Sequence, residues 1–545
     1  MNTAELLIQC LENEGVEYIF GLPGEENLHV LEALQGSSIQ FITTRHEQGA
    51  AFMADVYGRL TGKAGVCLST LGPGATNLMT GVADANLDGA PLVAITGQVG
   101  TDRMHIESHQ YLDLVAMFNP VTKWNTQIVR PNNTPEIVRK AFKQSQSEKP
   151  GAVHIDLPEN IAAMAAEGKA LKRDNQEKTF AAYHGLNQAA TLISQAVNPL
   201  ILVGNGAIRA NASEALTEFA TQLQIPVANT FMGKGVIPYT HPLALWTVGL
   251  QQRDLISCGF DRTDLVIAVG YDLIEYSPKR WNAEGKIPII HLGNNPAEID
   301  SSYIPAVEVV GDISDSLVEI LRRTDRSQKA KPYATSLRPG LCADYEQYAK
   351  DEEFPVKPQK IIYDLRSVMG DEDIVISDVG AHKMWMARHY HCSRPNTCII
   401  SNGFAAMGIA IPGALAAKLV YPDRKVVAVT GDGGFMMNSQ ELETALRIGT
   451  AFVTLIFHDG GYGLIEWKQQ NHFGHSSFIK FNNPDFVKFA ESMGLKGYRV
   501  ETTADLIPIL QEALAQDVPT VIDCPVDYRE NLMFTKKAGQ LLCST

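Results

Sequence analysis

Long hydrophobic runs are absent: no window approaches the ~20 uninterrupted apolar residues of a membrane span, so no membrane partner is expected. An excess of positive charge is also missing. Lys and Arg number 46 against 61 Asp and Glu, a net charge of −15, which argues against nucleic acid as a partner. Metal-type cysteine pairs are missing too. Eight cysteines lie scattered from Cys10 to Cys543, and the five residues between Cys392 and Cys398 match no usual zinc spacing. Free thiols in a reducing cytosol are therefore expected. The opening MNTAELLIQCLENEGVEYIF lacks the basic flank of a signal peptide, and its acidic residues speak against a transit peptide, so a cytoplasmic protein is expected. A full dinucleotide fingerprint is absent as well: Gly204-Asn205-Gly206 has neither the third glycine nor a suitably placed acid.

What is present is a large globular chain. Its 545 residues, 45% hydrophobic and 20% charged, are near globular averages. That length allows about three to four domains. Two polar, weakly periodic stretches, 165–178 and 324–355, read as linkers and leave blocks at 1–165, 185–325 and 355–530. Each block alternates strand and helix: EYIF, FITT, GVCLST, PLVAITG and GAVHIDLP in the first; PLILVG, TDLVIAVG and KIPIIHLG in the second; IVIS and VVAVTG in the third. The fold class is therefore α/β, with three doubly wound parallel sheets. No internal repeat is visible, although the first and third blocks could share a topology.

The densest chemistry lies at 424–463, RKVVAVTGDGGFMMNSQELETALRIGTAFVTLIFHDGGYG. Val426 to Val429 reads as a buried strand emptying into Gly-Asp-Gly-Gly. Asn438 reads as a helix cap with Glu441 three residues on, Gly449 as the stop, and Phe452 to Phe457 as a second buried strand. Such a unit brings Asp432 and Asp459 out of the carboxyl ends of two strands, where open α/β sheets bind ligands. Two carboxylates and a turn carbonyl beside bare amides suit magnesium, which completes its shell with substrate phosphates. Taken alone, Gly-Asp-Gly-Gly is more often an ordinary turn. The second acidic turn, one helix and one strand later, makes the pair resemble the diphosphate motif of thiamin-diphosphate (ThDP) enzymes.

The first block adds Arg45-His46-Glu47-Gln48, where strand gives way to helix. A solvated first-turn glutamate is the plain reading. In ThDP chemistry, a carboxyl bonded to the aminopyrimidine ring drives it into the imino form that takes the thiazolium proton, and Glu47 has the position for that role.

The segment RHEQGAAFMADVYGRLTGKAGVCLSTLGPGATN resembles the pyrimidine-binding part of the acetolactate synthase family, and Gly-Leu-Pro-Gly at 21–24 resembles its first loop. HQYLDLVAMFNPVTKW, ISDVGAHKMW, SNGFAAMGIAIPGALAAKL and VDYREN extend the likeness over about residues 4–530. The resemblance implies that Glu47 activates ThDP, with Pro73 and Asn77 lining the pyrimidine side. It implies that Gly380, Ala381, His382, Gly433 and Gly434 meet the diphosphate. Asp432, Asp459 and the Gly461 carbonyl would ligate Mg2+, with Tyr462 flanking them. Met407 would wedge the cofactor into its bent shape, and Gln110 would orient the substrate, with Leu114 and Phe118 as apolar backing at helical spacing. Core packing of Met407 and a surface position for Gln110 are the plain alternatives.

Departures from the pattern refine the expectation. His458-Asp459 stands where most of the family has Asn-Asn, and VGYDLIEYSPKRWN (269–282) replaces the acidic-arginine pattern of flavin-binding members. Both features resemble the catabolic acetolactate synthases and speak against FAD, although Phe404 stands where those enzymes carry a polar residue. The implied activity is decarboxylation of pyruvate and ligation to a second 2-keto acid, giving 2-acetolactate, in a homodimer or homotetramer with sites at the subunit interface. A glyoxylate carboligase would have an apolar residue at Glu47. A simple 2-keto acid decarboxylase would use two adjacent histidines, and His105 and His109 are not adjacent. A non-catalytic nucleotide-binding scaffold would have no need of Glu47, Asp432 and Asp459 together.

Overall fold

Leu92–Gln98 (LVAITGQ) and Val453–His458 (VTLIFH) carry apolar and β-branched residues with little polar alternation, the pattern of strands covered on both faces. The computed structural model, which describes residues 1–173, 178–250, 255–325 and 332–531, places such strands in three six-stranded sheets. All their strand pairs are parallel. Numbered by chain order within each sheet, the first and third run 2-1-3-4-6-5, so these blocks share a topology. The middle sheet runs 3-2-1-4-5-6.

Those orders locate the ligand crevices, because an open α/β sheet binds where strand order reverses. In the third sheet the reversal lies between Ile374–Ser377 and Val426–Gly431, so the turns after these two strands face one another. The middle sheet reverses between Pro199–Val203 and Leu265–Val269.

The first and third domains are welded by a common core, whereas the middle domain has its own. At the weld, helix Glu47–Thr61 buries Phe52, Met53 and Val56 against helix Ala410–Val420. The approach is close: a Cβ on Gly413 would stand 2.9 Å from Val56 Cγ2.

Three local expectations need correction. The stretch 324–355 is not a free linker: a 3-10 turn at Tyr333–Leu337 and helix Arg338–Glu346 bury Ala334, Leu337 and Leu341 in the middle core. Sparse apolar residues at helical spacing were hidden there among charges; residues 326–331 lie outside the described ones. Asn438 is no N-cap. Helix Asp432–Asn438 starts directly at the strand end, and a second helix, Glu441–Arg447, follows. Six cysteines are free thiols, but Cys258 is disulfide-bonded, a spatial pairing that sequence spacing does not reveal; Cys543 lies outside the described residues. Helix Thr3–Glu14, strand Trp124–Gln127 and helix Thr134–Gln146 complete the first domain, and none of them was expected.

Candidate active site

Strand Val426–Gly431 runs without a loop into helix Asp432–Asn438, which sets the Asp432 carboxylate at the strand end. Its Oδ1 accepts the Gly433 N–H at 2.8 Å; Oδ2 accepts Gly460 N–H at 2.7 Å and Asn483 Nδ2 at 2.8 Å. Asp432 thus fastens the two acidic turns across adjacent strands. Burial, and next the Asp432 charge, push the neighbouring Asp459 carboxyl up to about 7. A buried carboxyl raised beside a second carboxylate is what a divalent cation would relieve.

The surroundings fit a phosphate group. A Cβ on Gly433 would stand 2.9 Å from the Tyr462 ring, and one on Gly434 would stand 2.9 Å from Thr430 Oγ1, so bare backbone is required at both. His382, in helix Ala381–His389 just after Gly380, lies 3.3 Å from the equivalent position on Gly431. Burial pushes His382 down to about 3, and its Nε2 has no partner among the described residues. Orphaned polar atoms are rare inside proteins and ask for one. Gly461 sits in the second acidic turn, where a Cβ would meet the Ile479 carbonyl at 2.9 Å and the Lys480 ammonium at 3.3 Å.

Behind this turn, Asp378 accepts the N–H of Val379 at 2.7 Å and of Gly408 at 2.8 Å, tying the Gly380 turn to the Met407 loop. Gly408 also accepts from Asn438 Nδ2 at 3.0 Å, so Met407 precedes a residue held from two sides. His458 Nδ1 bonds Asp523 at 2.7 Å, which raises the imidazole and steadies the residue before Asp459. Sequence reading assigned no role to Asp378, Asn483 or Asp523. Only Asp378, an acid at a strand end beside the Gly380 turn, carried a local signal.

A second cluster lies in the first domain. Glu47 opens helix Glu47–Thr61, is 8% exposed, and accepts Asn77 Nδ2 at 2.9 Å. Pro73 starts helix Pro73–Asp88, and a Cβ on Gly74 would come within 3.3 Å of Glu47 Oε1. The Gln110 backbone lies over the preceding turn, 2.6 Å from where a Gly72 Cβ would be. Gln110 has φ +58° and an exposed side chain. Leu114 and Phe118 lie in helix Leu114–Phe118 and are buried in the core shared by the first and third domains.

Among the described residues, no hydrogen bond or ion pair joins Glu47 or Asn77 to the Asp432 cluster. Each cluster is built on its own domain. Leu87, Ile106, Leu112, Met436 and Met437 are exposed, the last two on the helix that starts at Asp432. A cavity of about 620 Å³ is lined by Arg59, Asn205, Arg209, Lys234 and Cys398 and includes none of the expected site residues.

In the crevice of the middle domain a carboxylate lies on the first glycine turn. Glu275 accepts the Asn205 N–H at 3.0 and 3.1 Å and the Thr230 hydroxyl, so its carboxylate sits on the Gly204-Asn205-Gly206 turn. That turn is where a dinucleotide phosphate would rest.

Comparison with known proteins agrees with this division. Residues 1–117 match "Thiamine pyrophosphate enzyme, N-terminal TPP binding domain", residues 186–320 the central domain of the same enzymes, and residues 378–524 their C-terminal TPP binding domain. The chain is 36% identical to an acetolactate synthase of Bacillus subtilis, over 99% of this chain and 96% of that protein. It is 36% identical to a probable acetolactate synthase large subunit of Methanococcus aeolicus, over 99% and 94%. A catabolic acetolactate synthase of Raoultella terrigena is 35% identical, over 97% and 95%.

Proposed function

The chain belongs to the acetolactate synthase family of ThDP-dependent enzymes, and from that premise we propose how its residues carry out the reaction. The protein is a carboligase that decarboxylates one pyruvate and joins the two-carbon unit to a second 2-keto acid, giving 2-acetolactate. The observation that carries the site assignment is the Asp432 carboxylate clamped across two glycine turns, beside Asp459 and the orphaned His382 Nε2.

In this reading Asp432, Asp459 and the Gly461 carbonyl hold Mg2+, and the Gly433 and Gly434 amides with Gly380, Ala381 and His382 receive the diphosphate. Tyr462 closes over Gly433. Bound ThDP supplies a nucleophilic thiazolium carbon and an electron sink for the decarboxylation. Glu47 shares a proton with the pyrimidine ring nitrogen, Asn77 orients its carboxylate, and Pro73 shapes the wall beside them. Met407 would pack against the bound cofactor. Gln110 orients the acceptor keto acid, a polar contact that a ligation needs in a site closed to water.

The two half-sites support a shared site in which the Glu47 cluster of one copy meets the Asp432 cluster of another, in a homodimer or a pair of dimers. The exposed Leu87, Ile106, Leu112, Met436 and Met437 give such a partner apolar surface to cover. Glu275 seated on the Gly204 turn supports an enzyme without FAD. No helix is long and apolar enough to cross a membrane among the described residues, which agrees with the proposed cytoplasmic setting.

The experiment is product analysis with pyruvate alone, glyoxylate alone and both together. Acetolactate from pyruvate alone is expected. Tartronate semialdehyde from glyoxylate, or acetaldehyde as the main product from pyruvate, would overturn the assignment.

A further inference from the structure

The turn that presents Glu47 is gripped by the third domain at almost every residue except Glu47 itself. Glu441 Oε1 accepts the N–H of Arg45 and of His46, each at 3.0 Å, and Oε2 approaches the Arg45 N–H at 3.2 Å. Thr444 Oγ1 donates to Oε2 at 2.8 Å and fixes the carboxylate. One turn away, Asn438 Nδ2 donates to Gln48 Oε1 at 3.0 Å, and Arg447 donates to the Thr43 carbonyl. These contacts bracket Glu47 and leave its side chain turned to Asn77 and Gly74.

Glu441 is 0% exposed, and none of the described ion pairs includes it. The nearest cation-bearing side chain on the turn, Arg45, is 59% exposed and reaches toward Glu443 instead. A buried acid without a counter-charge is costly, and burial raises this one to about 6. A neutral side chain could pack in the same space. What the carboxylate adds is an acceptor that takes two successive main-chain N–H groups at once.

We propose that Glu441 is a positioning residue for cofactor activation, holding the Arg45–His46 main chain so that the Glu47 carboxylate meets the pyrimidine ring at the right distance. This rests on the reading of Glu47 as the activating acid. The same stretch, 432–447, begins at the proposed magnesium ligand Asp432, so one continuous piece of chain sets both the metal turn and the activating turn.

The test is hydrogen–deuterium exchange at the thiazolium carbon of bound ThDP, measured on the holoenzyme of wild type, Glu441→Gln, Gly49→Ala and Glu47→Gln. Gly49→Ala probes the same contact from the other side, since its Cβ would stand 2.7 Å from Glu441 Oε1, and it keeps the experiment informative if the amide variant folds poorly. Exchange and kcat should fall together by about 10- to 100-fold in both, as displacement of a catalytic group by an ångström or less does. Pyruvate KM and ThDP affinity should stay close to wild type. A lowered Tm with wild-type exchange in both variants would show Glu441 to be structural only and overturn the proposal. Wild-type exchange in Glu47→Gln would remove the activation reading itself, and the proposal with it.

Discussion

Replacing Arg59 with methionine should lower stability by about 3–5 kcal/mol, the usual result of stranding buried charges by deleting their partner. Arg59 Nε lies 2.7 Å from Asp55; its Nη2 lies 3.1 Å from Asp84 and 2.6 Å from Asp88. The guanidinium is 7% exposed and all three carboxylates are 0% exposed, so water cannot replace it. The loss should fall near the lower bound, because burial already raises Asp55 and Asp84 and both can take up protons when the cation goes. For domains of this size each kcal/mol moves the midpoint by about 2–4 °C, so Tm should drop by roughly 10 °C. The deficit should also depend on pH. Without Arg59 the folded carboxyls hold protons more tightly than the unfolded ones, so their stability contribution is full at low pH and is lost as pH rises above the ordinary carboxylate range. Melting curves at pH 5 and pH 8 should show the larger deficit at pH 8. Function should suffer too, since Asp84 accepts from Ser401 at 2.6 Å and Asp88 from the Asn402 N–H at 3.0 Å, holding the loop that leads to Met407. A variant that melts within about 2 °C of wild type at pH 8 would refute the reasoning.

Three further outcomes are expected. Glu47→Gln should fold and bind ThDP yet lose most turnover, by about 100-fold or more, because an amide cannot pass the proton; near-normal steady-state rates would contradict it. Chelation of divalent metal should release ThDP, since Asp432 and Asp459 would then face a diphosphate as like charges; equal ThDP affinity with and without magnesium would rule out the two-aspartate site. Burial raises Glu275 from 4.5 to about 7, so the unfolded chain gives up that proton first and stability falls as pH rises between those values. Glu275→Gln should remove up to about 3 kcal/mol of that decline, read as the difference in denaturation midpoints against wild type. Identical pH slopes, or stoichiometric FAD in the purified protein, would contradict a Gly204 turn occupied by Glu275.

Local chemistry was legible in the chain, and distant pairing was not. Gly431 to Gly434 and Asp459 to Gly461 announce themselves because a turn that must pass close to a ligand leaves glycine and a charge beside each other in sequence. Strand runs such as VVAVTG were legible for the same reason, being buried on both faces. Asn438 was misread because a helix can start at the strand end itself, with Asp432 at its first position, which no capping pattern marks. The 324–355 stretch misled because Ala334, Leu337 and Leu341 supply enough apolar surface to dock a helix while charges dominate the composition. The contacts of Glu441, expected only as a partner to the Asn438 cap, and of Glu275 were hidden for a different reason. Each matters through main-chain N–H groups far along the chain, at Arg45 and His46 in one case and Asn205 in the other, and a backbone amide has no sequence signature.

The most direct test of the account is complementation between two inactive variants. Glu47→Gln damages one half-site and Asp432→Asn the other, and each alone should make almost no acetolactate from pyruvate. After the two are dissociated, mixed and reassociated, half of randomly formed dimers are mixed, and each of these carries one undamaged site, so about a quarter of wild-type activity should return. If the mixture stays inactive while mixed oligomers demonstrably form, the Glu47 and Asp432 clusters do not meet across copies, and the shared site is wrong.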